Sequence, residues 1–174
     1  MGKDESRTHE QLQRKFFRQT VHYLWDMVKA GRLDELSEKE RSLAKIIMKH
    51  KEYADHFENK DILDGREYEA GAAFNPFFHL SIHKMVEDEL SSNTPAEAVL
   101  FCKAMESKGL SHHDAIHYIM MILIHVVYLS TSAGEPFDMV RYRQLLNECG
   151  EVEPFEVDAV IAMDTKNRDM NSPE

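Results

Sequence analysis

Hydrophobic positions recur at helical spacing along most of the chain, and no stretch alternates for long enough to suggest a strand. In the first segment Leu12, Phe16, Val21, Leu24 and Val28 share one stripe and Gly31 closes it, which predicts a helix from about His9 to Ala30. Residues 1 to 8 are expected to form a loose tail. Ser37 and Glu40 make a capping box for a helix to about Lys49, with Leu43, Ala44, Ile47 and Met48 inward. A short helical turn through KEYADHFEN follows. Residues 59 to 74 carry two glycines and no period, and are expected to be the longest ordered loop.

Asn75-Pro76 predicts an N-cap and a first helical position, opening a helix to about Leu90. Thr94-Pro95-Ala96-Glu97 repeats that signal for a helix ending near Gly109. The next stretch, SHHDAIHYIMMILIHVVYLS at 111–130, organises the rest. From Ala115 to Leu129 its only strongly polar side chains are His117 and His125. A helix apolar all round is expected to be buried all round, with the other helices wrapped about it. Ser111 and Asp114 cap its start. After Ala133-Gly134-Glu135-Pro136, Asp138 caps a helix of about twelve residues. Residues 155–163 suggest a last short helix, and 165–174 a flexible tail. The expectation is a single all-α domain over 9–164, a bundle of about five or six main helices around 111–130.

Composition narrows the function classes. With 43% hydrophobic and 30% charged residues among 174, this is an ordinary globular chain. The net charge of −10 argues against nucleic acid and anionic membrane surfaces, both of which select clustered Lys and Arg. Cys102 and Cys149 stand in no paired motif, which fits a reducing compartment. The N-terminal MGKDESRTHEQLQRK lacks the apolar core of a signal peptide. The run 115–129 is short for a membrane span and carries two histidines, so it is expected to be core. A cytoplasmic protein without nucleic-acid or membrane partners is expected.

The candidate chemistry lies in the ten histidines. His113 and His117 are four apart, and so are His79 and His83 in NPFFHLSIH. At that spacing two imidazoles project from one helix face and can reach a single divalent ion, as in bundle proteins that build metal sites on facing helices. Apolar neighbours flank both pairs: Phe77, Phe78, Leu80 and Ile82 around one, Ala115, Ile116 and Ile119 around the other. The competing account is a set of core histidines satisfied by carbonyls, carboxylates and one another. His125, two turns past His117, is a fifth ligand, a group supporting a ligand, or a packed imidazole; taken alone it reads as structural. Glu40 shares a face with Leu43, Ile47 and His50 and is the candidate carboxylate, although capping alone accounts for it. Phosphate loops, the Gly-x-Ser-x-Gly elbow, His-Glu-x-x-His and paired Glu-x-x-His are all missing. Cys102, beside Val99, Leu100 and Phe101, needs no role beyond packing.

NPFFHLSIH, then SHHDAIHYIM, then GEPFDMVRYRQLL, with HKEY at 50–53 upstream, resemble an uncharacterised bacterial family, the domain of unknown function eighteen forty-one, from about Arg14 to Leu146. The resemblance highlights Glu40, His50, Tyr53, Asn75, Pro76, His79, His83, His113 and His117. Lys51 stands where the family pattern usually has Pro, Ala54 where it has His, and His125 where it tends to carry a carboxylate. It names no reaction. The expected function is therefore metal binding, iron or zinc, through His79, His83, His113 and His117, with Glu40 the candidate carboxylate and His50 and His125 as helpers. The alternative is a metal-free interaction protein with a histidine-rich core.

Overall fold

The computed structural model describes residues 2–60 and 75–171 and is all-α, with no strand among the described residues. The expected loop at 59–74 falls almost wholly outside the described residues. Eight α-helices appear among the described residues, against the expected five or six main ones, the shortest being α3. The domain gathers into two compact units, Met1–Lys84 and Met85–Glu174.

The first unit contains α1 (Gly2–Lys29), α2 (Glu38–Lys49), α3 (Ala54–Glu58) and the start of α4 (Pro76–Ser92). Its core is Val21, Leu24, Trp25 and Met27 of α1 against Leu43, Ala44, Ile46 and Ile47 of α2, with Phe57, Phe77 and Leu80. Trp25 meets Phe57 edge-on, ring centroids 5.6 Å apart, and its indole N–H donates to Glu58 at 3.3 Å, so the polar tip of a buried indole is satisfied. Both halves of the Ser37–Glu40 capping box form, as expected. Three expectations fail in detail. Helix α1 starts at Gly2 instead of near His9, because KDESRTHEQ contains no breaker to stop it. Leu12 and Phe16 are exposed, since the buried stripe of α1 runs from Arg18 onward. Met48 is exposed as well, and Ile46 fills the inward position instead.

The second unit packs α5 (Ala96–Ser107) on α6 (His112–Ala133) and α7 (Met139–Glu151), with α8 (Val157–Asn171) against α6 and α7. Ser111 caps α6 through the backbone N–H of Asp114 at 3.1 Å. Gly134, at φ +69° in the left-handed region, ends it: the N–H of Glu135 reaches back to the Ser130 carbonyl at 2.8 Å, the bond pattern of a Schellman cap. Asp138 caps α7 as expected. Helix α8 begins after the turn Pro154–Glu156 and runs on to Asn171, well past the expected end at 163. Pro95 takes the N-cap position of α5, not the first helical position, and its bond to Thr94 is cis.

All-round burial of α6 is not found. Ile116, Ile119 and Ile122 are fully buried, but Ile124, Val127 and Tyr128 are exposed. The length argument against a membrane span also needs correction, because α6 is 22 residues long and passes by length and composition. Helix α6 packs on α5, α7 and α8.

One buried polar pair is instructive. The Tyr142 hydroxyl, fully buried on α7, donates to Glu89 near the end of α4 at 2.7 Å. Burial pushes the Glu89 carboxyl above its ordinary range, and the Tyr142 hydrogen bond offsets only part of that rise. A raised folded-state value means stability is fully present while the carboxyl is protonated in both states. It is lost as pH rises, because the unfolded chain releases the proton first. Glu89→Gln keeps an acceptor for Tyr142 and removes this titration. In urea unfolding at about pH 4 and about pH 7, the stability of Glu89→Gln relative to the parent is expected to increase at the higher pH. A relative stability independent of pH would refute the burial argument.

Candidate metal centre

In the first unit, helix ends decide where the imidazoles point. Helix α2 stops at Lys49, leaving carbonyls in its last turn without intrahelical partners. His50, the next residue, caps it twice: its backbone N–H reaches Ile47 O at 3.1 Å, and its ring Nδ1 lies 3.2 Å from Ile46 O. A carbonyl can only accept, so Nδ1 carries the proton. When the ring is neutral, Nε2 carries the lone pair and faces the other side.

That lone pair faces α4. Asn75 caps α4, its side-chain oxygen accepting the Phe78 N–H at 3.0 Å, and Pro76 follows as the first helical residue. Four and eight residues after the cap come His79 and His83, one turn apart. His50 Nε2 lies 2.6 Å from His79 Nε2. The His50 ring is centred 4.5 Å from that of His79 and 5.0 Å from that of His83, which it meets edge-on. His50 and His83 are fully buried, while His79 is partly exposed. Tyr53 closes the group, 5.6 Å from the His50 ring and 5.5 Å from that of His79. Burial, and then Glu52, hold its phenol above the ordinary value.

Such an arrangement could hold a metal ion. A ring fixed by Nδ1–H to a backbone carbonyl, with Nε2 turned to a shared point, is the orientation that metal-bound histidines adopt. His22 is likewise held through Nδ1, 2.6 Å from Phe57 O, and its buried Nε2 has no hydrogen-bond partner among the described residues. His22 was missed because nothing in its local spacing marks it.

In the second unit, the His113 and His117 rings meet edge-on on α6, centroids 4.3 Å apart, and both are half-buried. The remaining candidates have other occupations. Glu40 accepts from the backbone N–H of Ser37 at 2.9 Å and from its hydroxyl at 2.6 Å, and these bonds hold its carboxyl below the usual range. His125 donates from Nε2 to Asp164 Oδ2 at 2.8 Å. Asp164 also accepts from Arg141 Nε at 2.7 Å, and Arg141 reaches Glu148 at 2.9 Å. The buried Asp164 therefore serves a cation and an imidazole together. A further donor group joins Cys102, Glu106 and His112, whose ligand atoms all lie within 4.8 Å of one another. Burial, then the Glu106 charge, pushes the Cys102 thiol up to about 11, so it is no poised nucleophile. Sequence reasoning missed this group; its one local signal is the four-residue spacing of Cys102 and Glu106.

The family model for the domain of unknown function DUF1841 matches residues 11–148. The chain belongs to this uncharacterised family of domains, and the match covers NPFFHLSIH and both histidine pairs. No curated protein and no solved structure matches it.

Removing the carboxylate between His125 and Arg141 tests the structural role of that network. Asp164→Ala leaves the partly buried Arg141 with Glu148 alone and the His125 Nε2–H without its acceptor, and is expected to cost about 1–3 kcal/mol in urea unfolding. A loss under about 1 kcal/mol, the range of exposed pairs, would show that the network contributes little.

Proposed function

We propose that this protein binds a divalent metal, iron or zinc, through clustered imidazoles. His79 and His83 on α4 supply one pair of nitrogens and His113 and His117 on α6 the other. His50 joins the first pair. The observation that carries the proposal is the set His50, His79 and His83, in which His50 is pinned through Nδ1 and holds Nε2 2.6 Å from His79 Nε2. Tetrahedral coordination at about 2.0–2.1 Å per bond would set two nitrogens roughly 3.4 Å apart. An ion replacing the shared proton therefore needs the rings to separate by less than an ångström. Glu40 and His125 are engaged with Ser37 and Asp164 and are not required as ligands in this reading. An open coordination position would let bound water act as a nucleophile. A closed one would make the ion structural. The acidic composition suits a cytoplasmic protein without nucleic-acid or membrane partners.

The same 2.6 Å contact favours a second reading, a metal-free histidine core in which one imidazole satisfies another. Elemental analysis of tag-free protein, with melting curves in the presence and absence of chelator, separates the two. Metal binding predicts near-stoichiometric iron or zinc, a melting temperature lowered by chelator, and loss of metal in His83→Ala and His117→Ala. Metal-free protein with an unchanged melt and no uptake of added iron or zinc would establish the alternative.

A further inference from the structure

The turn between α5 and α6 builds a different donor set. Cys102 and Glu106 stand one helical turn apart on α5. Gly109 at φ +96° ends that helix, with the Leu110 N–H returning to the Met105 carbonyl at 3.2 Å. Ser111 then caps α6, so the first residue of the new helix, His112, folds back over the pair. Its Nδ1 lies 3.5 Å from Cys102 Sγ and 2.6 Å from Glu106 Oε1, and Sγ lies 3.7 Å from that same Oε1. The thiol is buried, while the His112 and Glu106 side chains are 54% and 39% exposed. The three donors thus form a cup with a sulfur floor and an open rim.

The geometry points to a second metal site: Cys102, Glu106 and His112 bind a zinc-class divalent ion, leaving its outer position to water. In a tetrahedron with bonds of about 2.3 Å to sulfur and about 2.0–2.2 Å to nitrogen and oxygen, neighbouring donors stand roughly 3.4–3.6 Å apart. Both edges that involve sulfur already have about this length. Only the His112–Glu106 edge, closed by a hydrogen bond, must open. Sulfur and nitrogen donors select a borderline-soft ion over calcium or magnesium, which take oxygen. Binding forms Sγ–metal, Nδ1–metal and Oε1–metal bonds. It releases the thiol proton to solvent and moves the imidazole proton from Nδ1 to Nε2. The site shares no ligand with the histidine cluster proposed above, so either can fail alone.

The test is a titration of the full-length, tag-free chain with cobalt(II) alone, followed by zinc(II) as competitor. A sulfur-to-cobalt charge-transfer band in the near ultraviolet, displaced by zinc, is expected. It should vanish in Cys102→Ser, fall sharply in Glu106→Gln and His112→Ala, and persist in Cys149→Ser, His83→Ala and His117→Ala. Glu106 and His112 are half-exposed, so their variants report on the site with the core intact, as an unchanged far-ultraviolet circular dichroism spectrum will confirm. Histidine-only binding gives cobalt absorption in the visible without the sulfur band, which distinguishes the two centres. Absence of the sulfur band, its survival in Cys102→Ser, or its survival at full strength in both Glu106→Gln and His112→Ala would overturn the assignment.

Discussion

A buried imidazole is pressed to find partners for its ring nitrogens, because an unmet polar group away from water costs on the order of 1–3 kcal/mol. Much of this protein's interior follows from that requirement. His50 uses a helix-end carbonyl for one nitrogen and His79 for the other. His125 is paired with a carboxylate that also serves Arg141. His22 is the exception: Nδ1 has the Phe57 carbonyl, but the buried Nε2 has no hydrogen-bond partner among the described residues. The same constraint applies to Tyr142, whose hydroxyl is buried only because Glu89 accepts from it, at the expense of a carboxyl held above its normal range.

Helix termini serve as the positioning devices. The end of α2 aims His50, the Asn75-Pro76 start of α4 sets the phase of His79 and His83, and the turn between α5 and α6 places His112 over Cys102. A side chain at a terminus does two tasks at once, satisfying an orphan backbone group and fixing its own rotamer. A side chain fixed this way would lose little conformational entropy on binding a ligand, which is the physical content of preorganisation. Glu40 shows the same economy. Its carboxylate accepts from the Ser37 N–H and hydroxyl in the capping box, which secures the helix start.

Periodicity and capping signals made most of the architecture legible before any tertiary information. The stripes of α1 and α2, the boxes at Ser37 and Ser111, and the caps at Asn75 and Asp138 are local, and each lies close to where its spacing put it. The failures share a cause. Leu12, Phe16, Met48 and the outer face of α6 are apolar yet exposed, because hydrophobicity marks what can be buried and only a neighbouring element decides what is. The reach of α1 back to Gly2 and of α8 out to Asn171 reflects the lack of breakers in polar sequence, where periodicity carries no signal.

For the candidate sites the division is sharper. Two His-x-x-x-His pairs could be read directly, since four-residue spacing on a helix is a local geometric fact. The proximity of His50 to His79 could not, because it joins residues on different helices across a segment of no regular period. Nor could the Cys102–Glu106–His112 cup, the pairing of His125 with Asp164, or the burial of His22. By itself the sequence determined the helices, the capped starts at Ser37, Asn75, Ser111 and Asp138 and the shared face of each histidine pair, all of which depend on interactions within about one turn of the chain. Which histidines meet, and which meet a carbonyl or a carboxylate instead, was decided only by packing, because those contacts depend on how separate helices are brought together.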